Sequence, residues 1–190
     1  MTKYKQLSEV MEIRSGYTFR GAVQNTEVGV AIVQAKDVDG LYLNYSKLSR
    51  SSQNIADSKF LVTGDVLLTT RGSFRACVVD FNEKVVATSA LHILRLKTDQ
   101  YLPEFIALYL NSPQTQSYLK QSAKGATIQS ISIADLGAIK VPVVPLDDQK
   151  LLLGLQQSVE QQAKLLESKT SIINKVYNNT ITKYLQGAIA

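Results

Sequence analysis

The chain has 190 residues, of which 45% are apolar, so it can bury one medium-sized core and is not disordered in composition. Its 21 lysines and arginines outnumber 16 acidic residues; the net charge of +5 permits contact with a polyanion without requiring it. One cysteine excludes an internal disulfide framework, and one histidine excludes chemistry that needs two within the chain. We find neither a signal-peptide core near the start nor ~20 consecutive apolar residues, and therefore expect a cytoplasmic protein without a membrane span.

Residues 1–145 contain short apolar runs separated by turn signals, a pattern typical of a mixed α/β domain rich in strands. The runs are β-branched or alternating, and they predict strands at Val30–Gln34, Asp65–Thr70, Ala76–Phe81, Lys84–Thr88 and Leu91–Leu96. Pro103 is suited to opening a helix, and a second helix is predicted after Pro113. A shorter helix is predicted from Ser132, with Asp135 as its capping partner. Residues 139–146 hold two prolines and predict an extended linker.

The last fifth of the chain has the pattern of one long helix. No proline occurs from Asp147 to Gln186, and apolar residues recur there mostly three, four or seven positions apart. These residues are Leu152, Leu155, Val159, Ala163, Leu166, Ile173, Tyr177 and Ile181. The pattern predicts an amphipathic helix of roughly 40 residues and ~60 Å. Because this is too long to pack along so small a domain, we expect the helix to pair with another helix; folding back on its own core is the alternative.

Five segments, taken together and in order, resemble the specificity subunits of type I restriction-modification systems. They are LSEVMEIRSGYTFR (Leu7–Arg20), GDVLLTTRGS (Gly64–Ser73), SALHILRL (Ser89–Leu96), LPEFIALYLNSP (Leu102–Pro113) and GATIQSISIADLGAIKVPVVPLDDQ (Gly125–Gln149). The long helix is similar to the spacer helix of those subunits. The usual form of the family has two recognition domains and two spacer helices, whereas this chain has room for one of each.

The resemblance implies a non-catalytic subunit with no cofactor of its own. Residues 1–145 would be a target-recognition domain for double-stranded DNA, and residues 146–190 a spacer and dimerisation helix that forms an antiparallel coiled coil. A homodimer would read an inverted repeat, because its two recognition domains are identical. The same helices would dock methyltransferase subunits, which bind S-adenosylmethionine, and the assembly would include a restriction and translocation subunit.

Two loops are the leading candidates for DNA contact. Arg71 and Arg75 flank a glycine turn after a predicted strand, and arginine can read guanine or clamp a phosphate. In the polar loop 124–130, Gln129 could read adenine and Lys124 could hold a phosphate. A solvated hairpin tip and a purely structural glycine turn are the alternatives. The full set of candidate DNA-binding residues is Arg14, Thr18, Arg20, Lys36, Arg71, Ser73, Arg75, Lys124, Thr127, Gln129 and Ser130.

Two further functions fit parts of the sequence. The helix could serve a coiled-coil assembly of another kind, with the globular part as a protein-interaction module. Asp135, Asp148 and Lys150 superficially match a metal-dependent nuclease, which needs carboxylates converging on a divalent cation. However, Asp148 lies at a predicted helix start, where a carboxylate stabilises the helix dipole. His92 and Cys77 are predicted to be structural residues within apolar strands.

Overall fold

The computed structural model describes residues 3–19, 26, 28–124 and 129–188. Contacts divide the chain into two units, Met1–Gln149 and Lys150–Ala190. The strands are β1 (Tyr4–Gln6), β2 (Met11–Ser15), β3 (Val30–Val33), β4 (Ser49–Ser51), β5 (Val66–Thr69), β6 (Ala76–Val78), β7 (Val85–Ala87), β8 (Leu91–Leu96) and β9 (Lys140–Pro142). The α-helices are α1 (Leu7–Val10), α2 (Pro103–Asn111), α3 (Pro113–Ser122), α4 (Ile133–Gly137) and α5 (Leu146–Ala188). Mixed α/β architecture followed by one long helix is therefore confirmed.

A four-stranded antiparallel sheet, in the order β2-β8-β5-β6, forms the centre of the first unit. Alternate side chains of its strands enter two different cores, since successive residues of a strand point to opposite faces. In β5, Val66 and Leu68 lie in a core shared with α1, α2 and α4, whereas Leu67 lies in a second core. The three-stranded sheet β4-β3-β7 contributes to that second core. Burial on both faces explains why the sequence shows continuous apolar runs here.

The five predicted strands are present, and Leu91–Leu96 has the predicted bounds. The helix at Pro103 and the short helix after Ser132 are also confirmed; the Ser132 hydroxyl accepts a hydrogen bond from the Asp135 backbone amide at 3.1 Å. The proposed linker was only partly right. Residues Lys140–Pro142 are extended, but they form β9, which pairs antiparallel with β1. The sequence around β1 is too short and too polar to have predicted this partner.

Gln149 closes the first unit from within the first turn of α5. Its side chain is fully buried. The Oε1 atom accepts a hydrogen bond from the Leu102 amide, and Nε2 donates to the carbonyls of Gln100 and Val144, all at 2.8 Å. Gln149 is the last residue of the segment Gly125–Gln149 that resembles the family. It joins the loop before α2 to the residues that lead into α5.

The helix α5 spans 43 residues, in good agreement with the sequence prediction. Within Lys150–Ala190, the large apolar side chains of the predicted stripe are exposed. Asp147 and Asp148 lie in its first turn, as expected for carboxylates near a helix N-terminus. Within the described parts of the chain, no helix is long and apolar enough to cross a membrane.

Candidate nucleic-acid interface

The hairpin between β5 and β6 forms the first half of the candidate interface. Across it, the Thr69 amide donates to the Arg75 carbonyl at 3.0 Å, and the Arg75 amide donates to Thr69 Oγ1 at 2.9 Å. Gly72 has φ +76° and open space around its Cα, as expected at a sharp turn facing solvent. The side chains of Arg71, Ser73 and Arg75 are all exposed. The tip therefore presents two guanidinium groups and a hydroxyl to solvent.

Phe74 anchors this tip to the core. Its backbone adopts φ +45°, which is unusual for a bulky residue, and its side chain is buried. Gln116 of α3 donates to the Phe74 carbonyl at 2.9 Å. Asn111 of α2 accepts from the Ala76 amide at 2.9 Å and donates to the Ala76 carbonyl at 2.8 Å. Helices α2 and α3 thus hold the β6 side of the hairpin in place by hydrogen bonds, and the exposed tip projects from this fixed base.

The loop 124–130 forms the second half of the interface. Lys124 and Ser130 exchange two backbone hydrogen bonds of 3.0 Å, which close the loop at its base. Ser130 also forms an antiparallel bridge with Arg71, and the Ile131 amide donates to the Thr70 carbonyl at 3.1 Å. The hairpin tip and the base of the second loop, separated by about fifty residues in the sequence, therefore lie side by side. Gln129 is exposed on the second loop, while candidate Thr127 lies outside the described residues.

Two more candidate segments leave the same end of the structure. Ser15 is paired with His92, and the following Gly16 amide donates to the Leu91 carbonyl at 2.9 Å. A Cβ at Gly16 would collide with the Thr88 carbonyl oxygen, which explains glycine at this position. The exposed candidate Thr18 follows. Candidate Arg20 lies outside the described residues.

Lys36 also belongs to this end, because β3 runs parallel to β7 and ends beside it. Its Nζ lies 3.0 Å from Oδ1 of the neighbouring Asp37, with which it forms an ion pair. Arg14 is placed differently. Its guanidinium donates to the carbonyls of Ser58 and Phe60 at 3.2 and 3.3 Å, so it ties β2 to a neighbouring loop.

The remaining candidate cations differ in how strongly they are held. Arg75 Nη1 lies 3.1 Å from Asp39 Oδ1, and Lys124 Nζ lies 3.9 Å from Asp135 Oδ2. The Arg71 guanidinium has neither an ion pair nor a hydrogen bond within the described chain. Arg71 is therefore the most readily available guanidinium of the hairpin for an external ligand.

His92 lies beneath the junction of the two loops. Its Nε2 atom lies 2.9 Å from the Ile131 carbonyl oxygen, to which the neutral tautomer protonated at Nε2 donates. Its Nδ1 atom is buried and has no hydrogen-bond partner in the described structure. Burial lowers the pKa of His92, and the hydrogen bond to Ile131 opposes that shift. A proton on Nδ1 would be buried without an acceptor, so the fold favours neutral His92.

We expect the structure to lose stability as the pH falls below 6.5, the ordinary pKa of histidine. The unfolded chain binds a proton there before the folded chain does, so the contribution of His92 is complete above this pH and declines below it. Replacing His92 with glutamine keeps a side-chain N–H donor for the Ile131 carbonyl but removes the titratable group. Urea unfolding between pH 7.5 and 5 should show a steeper loss of unfolding free energy in the wild-type protein than in His92→Gln. Equal losses would contradict this role for His92.

Sequence reasoning missed three residues that shape the interface. Asn111 and Gln116 hold the hairpin from α2 and α3, and no local pattern distinguishes them from other polar residues on helix surfaces. Asp39 lies in none of the strands or helices predicted from the sequence. Its position beside Arg75 depends on the pairing of distant segments.

The two carboxylates of the nuclease hypothesis, Asp135 and Asp148, lie at the starts of two different helices. Asp135 Oδ2 accepts a hydrogen bond from the Ser132 hydroxyl at 2.7 Å at the start of α4, and Asp148 lies in the first turn of α5. Among the described residues, no group of three or more His, Cys, Asp or Glu side chains could hold a metal ion.

The model of the type I restriction modification DNA specificity domain matches residues 2–176. The chain belongs to this family. A search of curated proteins gives no match. Among solved structures, it is similar to the HsdS subunit from Thermoanaerobacter tengcongensis, with 22% identity, a TM-score of 0.62, and coverage of 85% of this chain and 38% of that one.

Two other solved structures of type I systems show the same fold. The S subunit from M. genitalium has 16% identity and a TM-score of 0.60, with coverage of 88% of this chain and 41% of that one. A chain from a structural study of complex assembly and conformational transition in the type I R-M system has 22% identity and a TM-score of 0.64. The similarity covers 87% of this chain and 40% of that one. The chain thus spans about two fifths of the length of these relatives.

Proposed function

We propose that this specificity subunit reads one half of a bipartite site in double-stranded DNA. The observation that carries the proposal is the bridge between Arg71 and Ser130, which joins the exposed hairpin tip and the described base of the second loop into one projection at a single end of the domain. The DNA major groove admits a two-stranded ribbon, and each base pair shows a distinct set of donors and acceptors there. Arg71 and Gln129 are placed on neighbouring segments of this projection, with side chains suited to guanine and adenine.

Three other candidate residues, Lys36, Arg75 and Lys124, would hold the DNA backbone. Lys36 and Arg75 have solvent-facing cationic groups, and Lys124 is exposed beside the second loop. Contacts to phosphates position a protein on the duplex without reading its sequence. Such contacts require no covalent step, so the subunit acts by binding and positioning. Methylation would be carried out by a partner that binds S-adenosylmethionine.

The second part of the proposal is that α5 pairs with α5 of a second copy, antiparallel. Leu166 is 64% exposed, and the other apolar residues of its stripe are exposed as well. A continuous apolar stripe along a helix is typically covered by another helix. Two paired copies would supply the two recognition domains and two spacer helices that the usual form of the family contains. The dimer would read the same half-site twice, as an inverted repeat.

The apolar surface of α5 is wider than one helix–helix seam. Leu165, Ile172 and Val176 are also exposed, and helical geometry places them on a stripe beside Leu166 and Ile173. We propose that this second stripe docks the methyltransferase subunits, with the restriction and translocation subunit joining the same assembly. The same stripe also favours the second candidate, a coiled-coil interaction module without DNA specificity.

Light scattering on the purified chain, with and without a co-expressed methyltransferase subunit from the same system, tests the assembly. We expect a dimer that takes up the methyltransferase. A monomer that ignores the methyltransferase would contradict the pairing model. A dimer that binds protein partners but shows no salt-dependent binding to duplex DNA would support the interaction module instead.

A further inference from the structure

Asp39 places a negative charge beside the proposed DNA-contacting hairpin. Its Oδ1 atom lies 3.1 Å from Arg75 Nη1, and the two side chains are 84% and 45% exposed. Ion pairs this exposed contribute little to folding, because water and salt screen them. The pair is therefore positioned where DNA would approach, and either member can be replaced without removing a buried interaction.

The backbone places the two residues opposite each other. Tyr42 forms a parallel bridge with Val78 of β6, with the Val78 amide donating to Leu41 at 2.7 Å and the Leu43 amide donating to Val78 at 3.2 Å. Three residues earlier in both segments, the same register aligns Asp39 with Arg75.

Arg75 itself is fixed from the other side of the hairpin, through its backbone bonds with Thr69. The ion pair is consequently a product of strand alignment, and it would recur whenever the domain is folded.

We propose that Asp39 is an internal competitor for the DNA phosphate that Arg75 would otherwise bind. The inference rests on the proposed DNA-binding function and adds a residue that opposes it. The planar guanidinium fits carboxylate and phosphate equally well, so the two anions compete for one group. A phosphate that binds the Arg75 guanidinium must displace the Asp39 carboxylate from it, so the cost of breaking the ion pair is subtracted from the affinity for DNA.

This competition has a consequence for DNA of arbitrary sequence. Binding to such DNA depends on neutralising phosphates, and each neutralised phosphate releases counterions. An arginine already neutralised by a carboxylate contributes less to that release. The competitor therefore weakens binding to bulk DNA and leaves occupancy of a target more dependent on the base contacts of the hairpin and loop.

The test uses the full chain and a fluorescent 30-bp duplex of random sequence, with binding measured by anisotropy between about 50 and 200 mM salt. We expect Asp39→Asn to tighten binding several-fold and to steepen the slope of log affinity against log salt by about 0.9, the value for one additional phosphate. In the Arg75→Gln background, the same Asp39→Asn change should have no effect, because the group under competition is gone.

Asp57→Asn is the matched control. Asp57 is 86% exposed and lies 3.3 Å from Lys84, which precedes β7 at the end opposite the candidate interface, so the substitution changes the net charge equally. If Asp57→Asn tightens binding as much as Asp39→Asn, or if Asp39→Asn still acts without Arg75, the competitor model is wrong. Wild-type binding that Asp39→Asn leaves unchanged would overturn this model alone. Absence of DNA binding by all variants at about 50 mM salt would overturn the proposed function as well.

Discussion

Replacing Leu166 with aspartate should leave the chain monomeric at concentrations where the wild-type protein is dimeric. Leu166 lies near the middle of the exposed apolar stripe of α5, and an antiparallel dimer would bury it twice. Burial of one leucine side chain is worth about 2 kcal/mol, so loss of both weakens the dimer by about a thousandfold before the cost of burying two carboxylates is added. Sedimentation equilibrium over a concentration series measures the change.

Two matched variants make this result specific. Ser168→Asp introduces the same carboxylate on the opposite, polar face of the helix, and it should remain dimeric. Leu165→Asp alters the second stripe, where the side chain is 63% exposed, and should remain dimeric but fail to bind the methyltransferase. A dimeric Leu166→Asp protein would show that another surface joins the subunits. Monomers from all three variants would point to helix disruption, and circular dichroism would reveal that loss.

Replacing Arg71 with glutamine should weaken binding to the target by about 1–3 kcal/mol, or roughly 5- to 150-fold, if the guanidinium reads a guanine. Arg71 is exposed at the hairpin tip and has no ion-pair partner within the described chain, so its substitution removes no internal salt bridge. The loss of affinity should concern one base pair of the target, and Arg71→Gln should bind duplexes with other bases at that position equally well. Competition between the target duplex and single-base variants, measured for wild-type and variant proteins, reports both effects.

Lys97→Gln provides the control for charge. Lys97 follows β8 at the end remote from His92, and its Nζ atom donates to the Ser8 carbonyl at 2.9 Å. Its substitution should leave both affinity and base preference unchanged. A uniform loss in Arg71→Gln for all sequences, with a salt slope reduced by about one, would reassign Arg71 to a phosphate. No loss at all would remove the hairpin tip from the interface.

Local sequence patterns were sufficient for the apolar strands and the longer helices, but not for short elements such as Tyr4–Gln6 or for strand pairing. The apolar run Leu91–Leu96 and the stripe from Leu152 to Ile181 predicted a strand and a helix because each period matches one geometry. The partner of Lys140–Pro142 could not be predicted, since Tyr4–Gln6 lies far away in the chain and shows no strand signal. Pairings of this kind depend on the whole fold.

In the candidate interface, too, local features were predictable from the sequence and tertiary contacts were not. Glycine and arginine at positions 71–75 predicted an exposed turn, and the structure shows a hairpin tip at this position. The hydrogen bonds from Asn111 and Gln116 to the hairpin depend on tertiary contacts, which no local pattern predicts. The same is true of the ion pair between Asp39 and Arg75. Arg14 and Arg75 were both candidates for DNA contact, yet Arg14 binds backbone carbonyls and Arg75 binds an exposed carboxylate.

Selection of duplexes from a randomised pool by the purified subunit, assembled with its methyltransferase, tests the central claim most directly. The account predicts enrichment of one short sequence in two copies, arranged as an inverted repeat with a fixed spacing set by the paired helices. Enrichment of two different half-sites, or no enrichment over the starting pool, would contradict a symmetric dimer that reads DNA through the hairpin and its neighbouring loop.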